Sequence, residues 1–182
     1  MHALNSAAIR RYLRSHSCPP AGTPASQQVG IGQLKIGAGA GQLEAVLGSC
    51  VGIALIWREG GSCGLAHCLL PEAPEPSPGT PGVMGGARYV NQAIPALLLM
   101  MGAQEDDYPH IEAVLAGGAS MLDSRSPRLQ IGQQNAAAAR KYLRQWGLNV
   151  STCCLGGHYG RTLRIDCATQ NVIVRDIVPV QS

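Results

Sequence analysis

Val51-Gly52-Ile53-Ala54-Leu55-Ile56-Trp57 is an uninterrupted apolar run, entered through Leu47-Gly48-Ser49-Cys50 and followed by a turn signal at Glu59-Gly60-Gly61. Such a run between glycine turns reads as a strand. That reading decides the fold class. The spacing Gly48-x-Cys50-x-Gly52 imitates the nucleophile elbow of α/β-hydrolases, which needs a strand, a sharp turn and then a helix. With a strand after the turn, in a chain short for that fold, the elbow is set aside.

Outward from this run the signals are mainly strands. Residues 31–36, 42–47 and 63–70 are expected to join it, with Glu59-Gly60-Gly61 turning a hairpin. A helix over 88–101 contains Pro95, which marks a kink or a late start. Ile111–Leu115 reads as a buried strand ending at Gly117-Gly118, and an alanine-rich helix over 133–146 closes at Gly147. Strands over 148–154, 162–168 and 172–177 follow, the last two joined by Thr169-Gln170-Asn171. Strands outnumber helices, and a strand separates the two best helices. The pattern predicts an α/β, α+β-like domain: a layered sandwich of mixed and antiparallel sheets with helices packed on them.

At 182 residues one domain is expected. Residues 3–14 suggest a short helix with Arg10, Arg11 and Arg14 on a solvated face, and Cys18–Pro24 reads as a linker. Residues 1–28 are therefore assigned to an extension and linker, and 29–182 to the domain. Pro71–Gly86, with five prolines and four glycines, reads as an exposed loop, either a substrate-contacting element or a tolerated insertion.

A formal charge of +3 and the lack of a basic, aromatic-interleaved stripe argue against nucleic acid as a partner. No apolar run reaches the roughly 18 residues of a membrane span, so no membrane insertion is expected. Met1-His2-Ala3-Leu4 carries no export signal, and seven cysteines is an odd number. Reduced thiols in the cytoplasm are the expectation.

Cys50 stands on a glycine turn and His67 follows on the next strand. A thiol with an imidazole is the minimal equipment for nucleophilic attack on a carbonyl. The turn amides at Gly48 and Ser49 are candidates for holding an oxyanion. The plainer readings are an inert buried thiol and a core histidine. Regular alternation would put Glu44 on the side of Cys50, as a third group orienting the imidazole; a solvent-facing charge is its plainer alternative. A zinc site drawn from Cys63, His67, Cys68, Cys153 or Cys154 is the chemical competitor, but none of these forms a Cys-x-x-Cys pair. Gly156-Gly157-His158-Tyr159-Gly160-Arg161 lacks phosphate-loop spacing and reads as a turn presenting Arg161.

These segments together resemble the CheD family of chemoreceptor glutamine deamidases. Leu47-Gly48-Ser49-Cys50-Val51 looks like its nucleophile motif, and Ala66-His67 with Leu70-Pro71 looks like its histidine motif. Ala116-Gly117-Gly118-Ala119 with Met121, Ile131-Gly132 with Asn135, and Gly156-Gly157 with Gly160-Arg161 match further family segments in order. The resemblance spans residues 29–178. It implies a cysteine-dependent protein-glutamine glutaminase acting on methyl-accepting chemotaxis receptors, with Cys50 as nucleophile, His67 as general base and acid, and no cofactor. A CheC-type phosphatase is a further implied partner, so a non-catalytic adaptor is the rival reading. Three positions depart from the family pattern. Glu44 stands where threonine is usual as third catalytic member, Ala66 where asparagine is common, and Gln170 where glycine is frequent.

Overall fold

A computed structural model of the chain describes residues 26–74, 86–120 and 130–178. The expected helix over 3–14, the linker and most of the 71–86 loop lie outside them. In chain order the strands are β1 (Ser26–Gln28), β2 (Leu34–Ala38), β3 (Gln42–Leu47), β4 (Val51–Trp57) and β5 (Ser62–Cys68). Helix α1 (Val90–Met101) and a 3-10 helix (Glu105–His110) lead to β6 (Ile111–Gly117). Helix α2 (Ile131–Gln145) then precedes β7 (Asn149–Leu155), β8 (Gly160–Asp166) and β9 (Asn171–Ile177).

The strands form two sheets, ordered β2-β5-β4-β6-β7 and β1-β3-β8-β9. Both are mixed. Pairs β6–β7 and β1–β3 run parallel, and the rest run antiparallel. The parallel β6–β7 pair is joined through α2, as a crossover connection requires. The expected layered sandwich is therefore present.

Strand β4 lies at the middle of the five-stranded sheet, with every residue from Val51 to Ile56 buried. Alternation divides its side chains between two cores. Val51, Ile53 and Leu55 pack beneath the helices with Val90, Ile94, Leu97, Leu98, Ala139 and Leu143. Ala54 and Ile56 face the second sheet and meet Leu43, Leu47, Leu163 and Ile165. A strand covered on both faces has no polar side, which explains its continuous apolar sequence.

The differences from expectation are local. The 31–36 strand begins at Leu34 because Ile31 and Gly32 form a turn, with Gly32 at φ +76° and Ile31 exposed. Helix α1 starts at Val90 and runs through Pro95. Ser26–Gln28 pairs with β3 ahead of Val29, where the domain was expected to begin. Gln170, in the β8–β9 turn, adopts φ +55°. Asp166 holds that turn by accepting from Ala168 N, Thr169 N and Thr169 Oγ1 at 2.9–3.1 Å. Buried Gln170 Nε2 donates to Trp57 O and Ser62 O, tying the turn to the β4–β5 hairpin. Those bonds offset a backbone conformation that favours glycine.

At Gly52 the two sheets approach closely. A Cβ there would lie 2.6 Å from Leu47 Cδ1 and 2.9 Å from Leu163 Cδ2, inside van der Waals contact. Gly52→Ala should therefore cost about 1–3 kcal/mol through overpacking. Urea unfolding measures this, and an unchanged midpoint would show that both leucines can yield.

Candidate active site

The turn Gly48-Ser49-Cys50 joins the end of β3 in one sheet to the start of β4 in the other. Three donors grip its carbonyls. Ala119 N donates to Gly48 O at 2.9 Å, Gly118 N to Cys50 O at 2.8 Å, and Asn135 Nδ2 to Ser49 O at 3.1 Å. The turn thus accepts at all three residues, and no described residue accepts from its own N–H groups. The grip depends on glycine at the end of β6. Gly117 has φ +95°, and a Cβ on it would strike the Cys50 carbonyl.

Cys50 is 6% exposed, and burial pushes its thiol pKa up. Fully buried Cys68 is raised mainly by desolvation and further by the nearby Cys50. The resting nucleophile candidate is a neutral thiol, because a thiolate there would lack solvation.

His67 lies on β5 directly across from Gly52, and alternation sets it on the inter-sheet face with Cys63 and Leu65. Its Nδ1 is 3.0 Å from Val29 O. A carbonyl only accepts, so Nδ1 carries the proton and the neutral ring keeps its lone pair on Nε2. Nε2 is buried and has no hydrogen-bond partner. Burial lowers the His67 pKa, and the Val29 bond opposes this only in part. The product is a neutral imidazole, oriented at one nitrogen and free at the other. No hydrogen bond joins it to the Cys50 thiol in this geometry.

Glu44 is not the group that orients the ring. Leu43, Ala45 and Leu47 face the core, so Glu44 faces outward, where its Oε2 accepts from Arg164 Nε at 2.8 Å and Nη2 at 2.7 Å. The bend at 48–50 interrupts the regular alternation that would have put Glu44 and Cys50 on one side. Glu44 reaches the histidine only through the main chain: its carbonyl accepts from Val29 N at 2.7 Å, and Val29 O holds His67. The orienting role of a third side chain is filled by a backbone carbonyl, which no sequence pattern signals.

The terminal glycine loop abuts this region. Gly156 N donates to Gly117 O at 2.9 Å, and Ser120 N to Gly157 O at 2.9 Å. The loop leads into Arg161, whose side chain is 13% exposed. That side chain turns inward, with Nη1 at 2.6 Å from Gly156 O and Nε at 2.7 Å from Asp176 Oδ1. The described residues contain no group of three or more His, Cys, Asp or Glu able to hold a metal ion. Of the zinc candidates, Cys63 donates to Gly37 O and Cys153 accepts from Arg140. No helix among the described residues is long and apolar enough to cross a membrane.

Glu44→Gln should leave Cys50 alkylation at the wild-type rate and cost about 0.5 kcal/mol, the scale of a partly exposed ion pair. Gly117→Ala should displace the turn, alter that rate and cost about 1–3 kcal/mol; the opposite ranking in a peptide-resolved alkylation assay would refute the backbone assignment. His67 carries a pH signature as well. Above pH 6.5 the ring is neutral whether folded or unfolded; below it the unfolded chain takes up a proton that the buried ring resists. Stability should therefore fall as pH drops below 6.5, and His67→Gln should flatten that slope in urea titrations across the range.

Comparison with known proteins agrees with the resemblance seen in the sequence. Residues 69–176 match the family described as CheD chemotactic sensory transduction. The chain is 40% identical over 144 residues to a probable chemoreceptor glutamine deamidase CheD of Bdellovibrio bacteriovorus, covering 78% of this chain and 89% of that protein. It is 36% identical over 162 residues to a probable chemoreceptor glutamine deamidase CheD 2 of a Ruegeria species, covering 82% and 90%. A probable chemoreceptor glutamine deamidase CheD of Pyrococcus horikoshii is 38% identical over 156 residues, covering 82% and 91%.

Proposed function

The chain belongs to the CheD family, and from that premise we propose that it is a protein-glutamine glutaminase acting on chemoreceptors. It converts receptor glutamine side chains to glutamate through a thioester on Cys50. The observation that carries the reading is the state of His67. Its Nδ1–H is held by Val29 O and its Nε2 is unpartnered, on the strand paired with the one that follows Cys50. A neutral ring fixed in one tautomer, with its basic nitrogen free, is what a general base requires.

The steps are those of acyl transfer. The Cys50 thiol turns toward Nε2 and gives up its proton as sulfur attacks the amide carbon of the glutamine side chain. The N–H groups of the Gly48–Cys50 turn, which no described residue engages, are the candidate donors to the resulting oxyanion. Collapse breaks the C–N bond. His67 passes its proton to the departing nitrogen, and ammonia leaves a Cys50 thioester. His67 then takes a proton from water as the water attacks the thioester carbonyl, and returning that proton to sulfur releases glutamate and restores the thiol. Because burial keeps Cys50 protonated, proton transfer accompanies attack and no standing thiolate–imidazolium pair precedes it.

The substrate-facing partner is the cytoplasmic part of a chemoreceptor, and the chain acts in the cytoplasm. The test incubates the full chain with a receptor cytoplasmic fragment and follows glutamine-to-glutamate conversion by peptide mass. Cys50→Ala should abolish conversion, and His67→Gln should slow it by about 10²–10⁴-fold. Since the buried ring stays neutral below its ordinary pKa of 6.5, conversion should persist to a pH below that value before it declines. Conversion that survives Cys50→Ala would remove the nucleophile. Binding of receptor fragment or a CheC-type phosphatase without conversion by the intact chain would leave the adaptor reading.

A further inference from the structure

Asn135 lies on α2, wholly buried, and its carboxamide touches both halves of the site. Nδ2 donates to Ser49 O at 3.1 Å and to Leu69 O at 2.9 Å. Ser49 precedes the nucleophile candidate. Leu69 lies two residues beyond His67, just past the end of β5. One nitrogen therefore spans the turn carrying the thiol and the segment carrying the base. The amide is suited to this task, since it places two protons on a single uncharged atom.

The helix is seated so that this short side chain can reach. Gly132 packs against the β6 exit so closely that a Cβ there would lie 2.6 Å from Ala119 O and 2.7 Å from Gly118 O. The same exit supplies the Gly118 and Ala119 donors to the turn. Meanwhile Asn135 Oδ1 is buried without a partner. A residue needed only to fill this space would be aliphatic and would avoid that desolvation.

We propose that Asn135 is the positioning residue of the site, its carboxamide fixing the separation between Cys50 and His67. This rests on the reading of those two residues as the reacting pair. It assigns Asn135 no contact with substrate. Asn135→Leu keeps the shape and removes both donors. Asn135→Asp keeps the shape and sets a carboxylate against two carbonyl oxygens, except at acidic pH, where its protonated form can donate once.

The test measures iodoacetamide alkylation of Cys50 against pH in the full chain, resolved by peptide mass, for wild type, Asn135→Leu, Asn135→Asp and His67→Gln. Receptor-fragment conversion is measured in parallel. Both Asn135 variants should unfold cooperatively yet give the His67→Gln alkylation profile, with Asn135→Asp regaining part of the wild-type rate in acid. Their kcat should fall on the order of 10²-fold with KM little changed, as expected for displaced reacting groups. If Asn135→Leu does not fold, Asn135→Asp carries the comparison. Wild-type profiles in the folded variants would overturn the proposal, as would a wild-type profile identical to that of His67→Gln. A collapsed profile in the variants, from a wild type that converts no receptor glutamine, would keep Asn135 as positioner and discard the deamidase reading.

Discussion

Strand β4 is hydrogen-bonded along both edges, to β5 and to β6, and is covered on both faces by the helices and by the second sheet. Its neighbours inherit their positions from it. Cys50 stands at its entrance, His67 faces its second residue across the β5 ladder, and Gly117 closes the β6 ladder opposite Val51. A one-residue slip in either ladder would exchange core and site faces together, so burial of Ile53, Leu55 and Ile56 also fixes the register of the chemistry. The geometry of the candidate site and core packing are here one constraint.

Burial acts on the two titratable groups in complementary directions. Desolvation disfavours charge, so the Cys50 pKa rises while that of His67 falls. Both changes favour the uncharged pair. The site does not resemble the electropositive settings that keep a cysteine as thiolate at rest. It resembles an acid and a base stored apart, whose proton exchange waits for an electrophile. The main-chain bond from Val29 suits this arrangement: a neutral carbonyl fixes the tautomer without the added basicity a carboxylate would confer.

Much of this was legible in the chain itself. The apolar run at 51–57 announced a strand, and the alanine-rich segment before Gly147 announced α2, because both elements are set by their local sequence pattern. Ser26-Gln27-Gln28 gave no such signal; three polar residues become a strand only because β3 offers them an edge. Glu44 misled because alternation was extended through residues 48–50, where the chain bends away. Val29 was invisible, since its contribution is a carbonyl that any residue type could supply. Asn135 was visible only as part of a matching segment; its reach to Ser49 and Leu69 depends on how closely Gly132 lets the helix approach.

The turn at Gly48–Cys50 has each of its carbonyls held by a donor from another part of the chain. Restricting a backbone residue to one conformation costs about 1–2 kcal/mol of entropy at room temperature. For this turn that cost falls on the folding equilibrium rather than on the encounter with substrate. If Cys50 is the nucleophile proposed above, affinity for a glutamine-bearing segment is then free to go into selecting among glutamines, because little of it is consumed in organising the turn. Tolerance to mutation inverts in step. On the proposed mechanism, losses of fold stability around β6 and α2 would register first as losses of turnover, before the unfolded population becomes measurable.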